Sequence, residues 1–148
     1  SNVNPNVLAA MIVQEQGSKG TSSLISGTVS GYKGYYNFFN VNAYETSSRD
    51  KITNGLIYAK NHGWNSVYNS IKGGADYVSK KQNTYYLKKF NVNNGLSSVA
   101  THQYMTNVQG AAGEGTLVRK AFGSDSNSAV TFEIPVYNSM PSSICPLP

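Results

Sequence analysis

Cysteine and long apolar runs are scarce in this sequence. Its 148 residues include one cysteine, Cys145, which excludes an intrachain disulfide framework and a zinc site built from several thiolates. No apolar run approaches the roughly 20 residues that a membrane helix requires. The first residues have neither the charged nor the apolar region of a signal peptide. We therefore expect no membrane insertion, and we expect any export signal to lie outside this segment.

Charged residues are also few, at 13% of the chain, about half of the usual share. Lysine and arginine outnumber aspartate and glutamate by 12 to 7, but the lysines occur in pairs and not in the longer runs typical of nucleic-acid binding. The polarity comes mainly from neutral side chains, with 17 Asn, 19 Ser and 11 Tyr. This composition favours a neutral, hydroxyl-rich ligand over nucleic acid. With two isolated histidines and no His-Glu-x-x-His pattern, we expect neither a metal nor a cofactor.

The pattern predicts one mainly helical α+β domain over residues 1–140 and a proline-rich tail or linker over 141–148. Helices are expected at residues 4–16, 49–62, 66–80, 84–90 and 106–122, with an alternating strand at 130–136. Asn4 is a suitable N-cap and Gly17 a suitable stop for the first helix. Ser48 is expected to cap the second helix. Residues 17–36, rich in glycine and serine, are expected to form a loop or a short hairpin.

One acidic residue stands out in the first helix. Val7, Met11 and Glu15 follow one another at four-residue spacing, so Glu15 continues an apolar face where a Leu or Ile is expected. A carboxyl group in such surroundings has a raised pKa and stays protonated at mild pH, as general-acid catalysis requires. The alternative is that the helix ends here and Glu15 turns outward to solvent.

Three segments, in the same order and with compatible spacing, resemble motifs of the peptidoglycan glucosaminidases of glycoside hydrolase family 73. Residues 4–15 (NPNVLAAMIVQE) are similar to the family's opening helix, which ends in the catalytic acid. Residues 36–41 (YNFFNV) resemble its YNLFGI segment, and residues 102–107 (HQYMTN) resemble its HQYATD segment. The likeness covers roughly residues 4 to 137 and is nearest to the catalytic domains of clostridial-type autolysins.

The resemblance implies a lysozyme-like, two-lobed fold with a small, flexible loop or hairpin lobe. It also implies hydrolysis of the β-1,4 bond between N-acetylglucosamine and N-acetylmuramic acid, with Glu15 as the general acid. The implied partner is a peptidoglycan glycan strand, and the implied location is secreted or associated with the cell wall. A monomer is the default expectation.

The second catalytic group is left open between three routes. Glycosidases usually place a second carboxylate about 5–9.5 Å from the acid. Glu45 lies thirty positions after Glu15, close to the spacing of the second glutamate proposed in several relatives, and Asp50 is its nearest competitor. The substrate's own 2-acetamido group is the third route.

Aromatic and amide side chains supply the expected substrate contacts. Rings stack on pyranose faces, and amides exchange hydrogen bonds with hydroxyl and acetamido groups. Six rings fall within thirteen residues, from Tyr32 to Tyr44, and at least one phenylalanine among them is expected to be core. The predicted substrate-binding residues are Tyr36, Asn37, Phe38, Asn40, Gln103, Tyr104 and Thr106.

Several other functions are compatible with the same sequence. A muramidase or a lytic transglycosylase is possible on the same fold, and a non-catalytic peptidoglycan-binding module is possible without any chemistry. Two departures from the family pattern also stand out. The connection from Ser79 to Gln82 is short, and Asn107 stands where the motif often has Asp.

Overall fold

The computed structural model describes residues 3–81 and 110–123, together with residues 139 and 142–143. Four α-helices lie in these ranges: α1 (Pro5–Gln16), α2 (Lys51–Asn61), α3 (Val67–Lys81) and α4 (Gly110–Phe122). A single 3-10 turn, Ser23–Ile25, interrupts the long connection between α1 and α2. The described part of the chain is thus mainly helical, as expected, and contains no β-strand beyond an isolated bridge between Thr46 and Arg49. The predicted helix at 84–90 and the predicted strand at 130–136 lie outside it.

Helix α1 begins and ends where the sequence predicts. The side chain of Asn4 accepts a hydrogen bond from the backbone N–H of Asn6, and Pro5 occupies the first helical position. Gly17, with φ of 75°, ends the helix. Apolar side chains of α1, among them Val7, pack against the hydrophobic core.

Helix α2 begins two residues later than expected because Asp50, not Ser48, is its cap. Asp50 Oδ1 accepts from the backbone N–H of Thr53 at 2.8 Å, and Oδ2 accepts from the Thr53 hydroxyl at 2.8 Å. The two hydrogen bonds with Thr53 hold the pKa of the Asp50 carboxyl below its ordinary value. This carboxylate is therefore the N-cap of α2.

The core lies where α2 and α3 meet the loop that follows the 3-10 turn. Its buried members are Val3, Phe39, Val41, Ala59, Trp64 and Val78. Trp64 belongs to this core, at 4% exposure. Two adjacent glycines keep α3 close to this core, because a Cβ at Gly73 would meet the Trp64 ring and one at Gly74 would meet the Phe39 ring.

Helix α4 packs against α1. It matches the helix predicted over 106–122 from residue 110 onward, and residues 106–109 lie outside the described part. A charged residue on a helix is usually solvated, but Glu114 of α4 is buried, at 3% exposure. In the described ranges no helix is long and apolar enough to cross a membrane.

Candidate active site

Glu15 lies in the last turn of α1 with its side chain exposed. Its Oε2 atom accepts a hydrogen bond from Asn40 Nδ2 at 2.8 Å, and its backbone carbonyl accepts from the same nitrogen at 2.9 Å. The predicted burial of this carboxyl on an apolar face is therefore wrong. The hydrogen bond described here comes instead from a polar amide of the loop that follows the 3-10 turn.

Gln16, the next residue, is buried at 6% exposure and joins the end of α1 to that loop. Its Nε2 group donates to the carbonyl of Phe38 at 2.9 Å, to Asn40 Oδ1 at 2.7 Å and to the carbonyl of Asn37 at 3.2 Å. Carbonyl oxygens only accept, so the atom that faces them must be the NH2 group of Gln16. The orientation of the Gln16 amide is thus fixed by its neighbours.

The orientation of Gln16 fixes that of Asn40 in turn. Because Gln16 donates to Oδ1 of Asn40, the NH2 end of Asn40 must point the other way, toward Glu15. Asn40 has φ of 50°, a left-handed conformation that asparagine tolerates better than most residues. Both hydrogen bonds from Asn40 Nδ2 go to Glu15. The NH2 group of Asn40 is therefore engaged by Glu15 and not by a ligand.

Asn37 is fully buried, at 0% exposure. Its Nδ2 donates to the carbonyls of Val41 at 2.8 Å and Gly55 at 2.9 Å, and its Oδ1 accepts from the Val41 N–H at 3.0 Å. A ligand has no access to this amide. The structure gives Asn37 a scaffolding role, tying the loop to α2, and this corrects its assignment as a substrate contact.

The aromatic residues divide between core and surface. Phe39 is buried in the core, which confirms that at least one phenylalanine of the group is structural. Phe38 is half-buried against the core and stacks on Tyr36, with ring centroids 6.4 Å apart. Tyr36 is also half-buried, and its hydroxyl end lies over Gly27. Tyr44 is 58% exposed, so its ring is the most accessible of the six.

Glu45 and Asp50, the two candidates for a second carboxylate, are both exposed in the segment before α2. Glu45 follows Tyr44 and precedes the Thr46–Arg49 turn, in which Arg49 N donates to the Thr46 hydroxyl oxygen. Asp50 is engaged by Thr53 through both of its oxygens.

Gln103, Tyr104 and Thr106 lie outside the described residues, so the structure brings together Glu15, Gln16 and Asn40 but does not address the HQYMTN segment. Among the residues that are described, no group of three or more metal-ligating side chains is present. The residue that the sequence analysis missed is Gln16. Its only sequence signal is a polar residue in the last turn of an amphipathic helix, because its partners lie 21 to 24 positions away.

Comparison with known proteins finds relatives among staphylococcal autolysins. The chain is 33% identical over 132 residues to a bifunctional autolysin of Staphylococcus epidermidis, covering 80% of this chain and 9% of that protein. It is 32% identical over 108 residues to a bifunctional autolysin of Staphylococcus aureus, covering 70% of this chain and 8% of that protein. The chain thus spans less than a tenth of these curated relatives. No protein-family model matches it.

Two solved structures are similar over 81% of this chain. One is a catalytic mutant of S. aureus autolysin E, with a glutamate replaced by alanine, in complex with the disaccharide NAG-NAM. It matches with a TM-score of 0.59 and 29% identity over 53% of its own length. The other is S. aureus glucosaminidase B, with a TM-score of 0.55 and 32% identity over 47% of its length. The chain shares the fold of these enzymes over about half of their length.

Proposed function

We propose that this chain, a member of the peptidoglycan glucosaminidases of glycoside hydrolase family 73, is a catalytic domain that hydrolyses glycan strands of the bacterial cell wall. The bond cleaved is the β-1,4 linkage between N-acetylglucosamine and N-acetylmuramic acid. Glu15 is the general acid.

The observation that carries this proposal is the placement of Glu15. It is exposed at the end of a helix and oriented by a hydrogen bond of 2.8 Å from Asn40, so a glycosidic oxygen can reach it. One similar solved structure supports the same assignment. The autolysin E structure is a catalytic mutant at a glutamate, and the ligand in that complex is a NAG-NAM disaccharide.

The chemistry assigned to Glu15 is a proton transfer. The O–H bond of the neutral carboxyl breaks as the proton moves to the leaving glycosidic oxygen, while the bond from the anomeric carbon to that oxygen breaks. Glu15 is left as a carboxylate. The proton returns when water enters and the new hydroxyl forms on the anomeric carbon.

Glu45 is the proposed partner for Glu15. It is exposed beside the accessible ring of Tyr44, and the described contacts leave it available to substrate more readily than Asp50, whose oxygens are engaged by Thr53. The acetamido group of the substrate is the competing nucleophile. Replacing Glu45 by Gln distinguishes the two: loss of cleavage supports Glu45, and full cleavage supports the acetamido route.

Sugar binding is assigned to the surface around this carboxylate pair. Tyr36 and Phe38 form a half-buried stack, on which a pyranose ring is expected to lie. The remaining Asn40 acceptor and the side chains of Gln103, Tyr104 and Thr106 are proposed to bind hydroxyl and acetamido groups. Tyr104 is expected to face Glu15.

The setting proposed for this activity is the outside of the cell, secreted or attached to the wall, where peptidoglycan is the substrate. The domain is proposed to act as a monomer and without a cofactor. Its positive charge of +5 suits an anionic polymer such as the wall.

A carboxylate-to-amide exchange tests the acid. Glu15→Gln keeps the size of the side chain but has no proton to transfer at the pH of the reaction, so lysis of purified walls should fall at least 100-fold. Asp50→Asn is the matched control, because asparagine is an equally good helix cap and should leave lysis unchanged. Melting temperatures of both variants should remain close to that of the parent chain. Full activity of Glu15→Gln at an unchanged fold would falsify the acid assignment.

The products test the bond. After borohydride reduction, digested peptidoglycan should yield glucosaminitol at the new chain ends. Muramitol would identify a muramidase, and 1,6-anhydromuramic ends would identify a lytic transglycosylase. Sedimentation with the wall without new reducing ends would identify a binding module.

A further inference from the structure

We infer that Asn40 is a positioning residue for Glu15, and that Gln16 sets the direction in which the Asn40 amide acts. The inference rests on the proposed role of Glu15 as the acid. It assigns to two amides, one on α1 and one on the loop at residues 37–40, the task of holding the carboxyl in a single orientation.

The first step is the fixed polarity of the chain of amides. Gln16 Nε2 faces oxygen acceptors only, so it must donate, and Asn40 Oδ1 must accept at 2.7 Å. Asn40 Nδ2 is then left to donate to Glu15. A reversed Asn40 would bring Oδ1 against the Glu15 carbonyl and carboxyl oxygens, which would place acceptors against acceptors.

The second step concerns which oxygen of Glu15 holds the proton. Asn40 Nδ2 donates to Oε2, and the unprotonated oxygen of a neutral carboxyl is its better acceptor. The arrangement therefore favours the proton on Oε1. The second hydrogen bond, from Nδ2 to the Glu15 carbonyl at 2.9 Å, anchors the amide to the helix end so that it does not follow the side chain.

The third step is that the backbone at this position does not by itself require the amide. Asn40 has φ of 50° and Asn42 has φ of 57°, a conformation that glycine adopts at no cost. The YNLFGI segment that residues 36–41 resemble has glycine where this chain has Asn40. The amide is thus an addition to a backbone that glycine also satisfies, and the hydrogen bond to Glu15 is what it adds.

Three variants separate positioning from scaffolding. Asn40→Gly removes the amide and keeps the backbone, and Asn42→Gly makes the same change two residues away at an exposed position with the same backbone conformation. Asn40→Asp keeps the acceptor for Gln16 but turns the donor toward Glu15 into an oxygen. That oxygen would either repel the Glu15 carboxylate or hold its proton between the two carboxyls.

Kinetics on solubilised glycan strands should then rank the variants. Asn40→Gly should lower kcat about tenfold with little change in KM, because orientation of the acid acts mainly on the chemical step. Asn40→Asp should lower kcat further, and Asn42→Gly should match the parent. If the role of Asn40 were only to hold the loop, Asn40→Asp would match the parent and Asn40→Gly would be worse, and that order overturns the inference.

A readout that does not depend on cleavage keeps this inference separate from the proposed function. The side-chain carboxyl carbon of Glu15 is identified in the 13C spectrum of the labelled chain as the resonance lost in Glu15→Gln. It should shift in Asn40→Gly and stay in place in Asn42→Gly. An unmoved resonance in Asn40→Gly refutes the hydrogen bond. Activity retained in Glu15→Gln refutes the acid assignment instead.

Discussion

Gly74 and Gly113 are both helical glycines, yet replacement by alanine should have opposite effects on stability. A Cβ at Gly74 of α3 would overlap the ring of Phe39, and the ring atoms that it meets include Cγ, which stays in place when the ring rotates about the Cβ–Cγ bond. Phe39 is 7% exposed, so its ring has little room to turn away. By contrast, a Cβ at the exposed Gly113 of α4 meets no atom within 4 Å in the part of the chain that the structure describes.

The magnitudes follow from two terms. Overpacking a filled core costs up to about 3 kcal/mol, and alanine gains about 1 kcal/mol over glycine inside a helix. The free energy of unfolding should therefore fall by about 2 kcal/mol in Gly74→Ala and rise by up to about 1 kcal/mol in Gly113→Ala. For a chain of this size, about 1 kcal/mol corresponds to roughly 3 °C in Tm.

Thermal unfolding followed by circular dichroism at 222 nm measures both changes on the same instrument. Gly74→Ala should melt roughly 6 °C below the parent chain, and Gly113→Ala should melt up to roughly 3 °C above it. The reasoning is refuted if the two variants shift Tm in the same direction and by a similar amount, because helix propensity alone would then explain them.

Two further substitutions test the site loop and the start of α2. Asn37→Ala removes the buried partner of the Val41 N–H, the Val41 carbonyl and the Gly55 carbonyl. We therefore expect the free energy of unfolding, measured by chemical denaturation, to fall by roughly 3–5 kcal/mol. A decrease below about 1 kcal/mol would contradict the scaffolding role. Asp50 has a lowered pKa when folded, so its contribution is present above the unfolded pKa and is lost as the pH falls through the folded value. The parent chain should therefore lose more Tm than Asp50→Asn between pH 5 and pH 2, and parallel curves for the two proteins would count against this.

Local signals in the sequence were enough to predict α1. Asn4, Pro5 and Gly17 act on their immediate neighbours, and the structure confirms both ends of that helix. The start of α2 was harder, since Ser48 and Asp50 are both good caps, and only the structure shows that it is Asp50 that accepts from a backbone N–H three residues on, that of Thr53. The mainly helical fold class was predictable for the same reason, because the residues that begin and end a helix act on their neighbours in the sequence.

The surroundings of Glu15 could not be predicted from periodicity. Spacing gives the angle of a residue around a helix, but it does not say how far the packing partner extends along the axis. Met11 packs on the core, and Glu15 lies one helical turn beyond it. At Glu15 the packing partner of α1 is no longer the core but the polar loop at residues 37–40. The contacts of Gln16 and Asn40 join residues more than twenty positions apart, and no local pattern encodes them.

The shared amide of Gln16 also constrains how this region moves. If the loop at residues 37–40 withdrew from the end of α1, the carbonyls of Asn37 and Phe38 and the side chain of Asn40 would each lose a donor at once. Because these hydrogen bonds would be lost together, a stepwise separation of the loop from the end of α1 is unfavourable. The terminal turn of α1 and the loop should consequently move together, as one rigid unit, when the proposed glycan substrate enters or leaves.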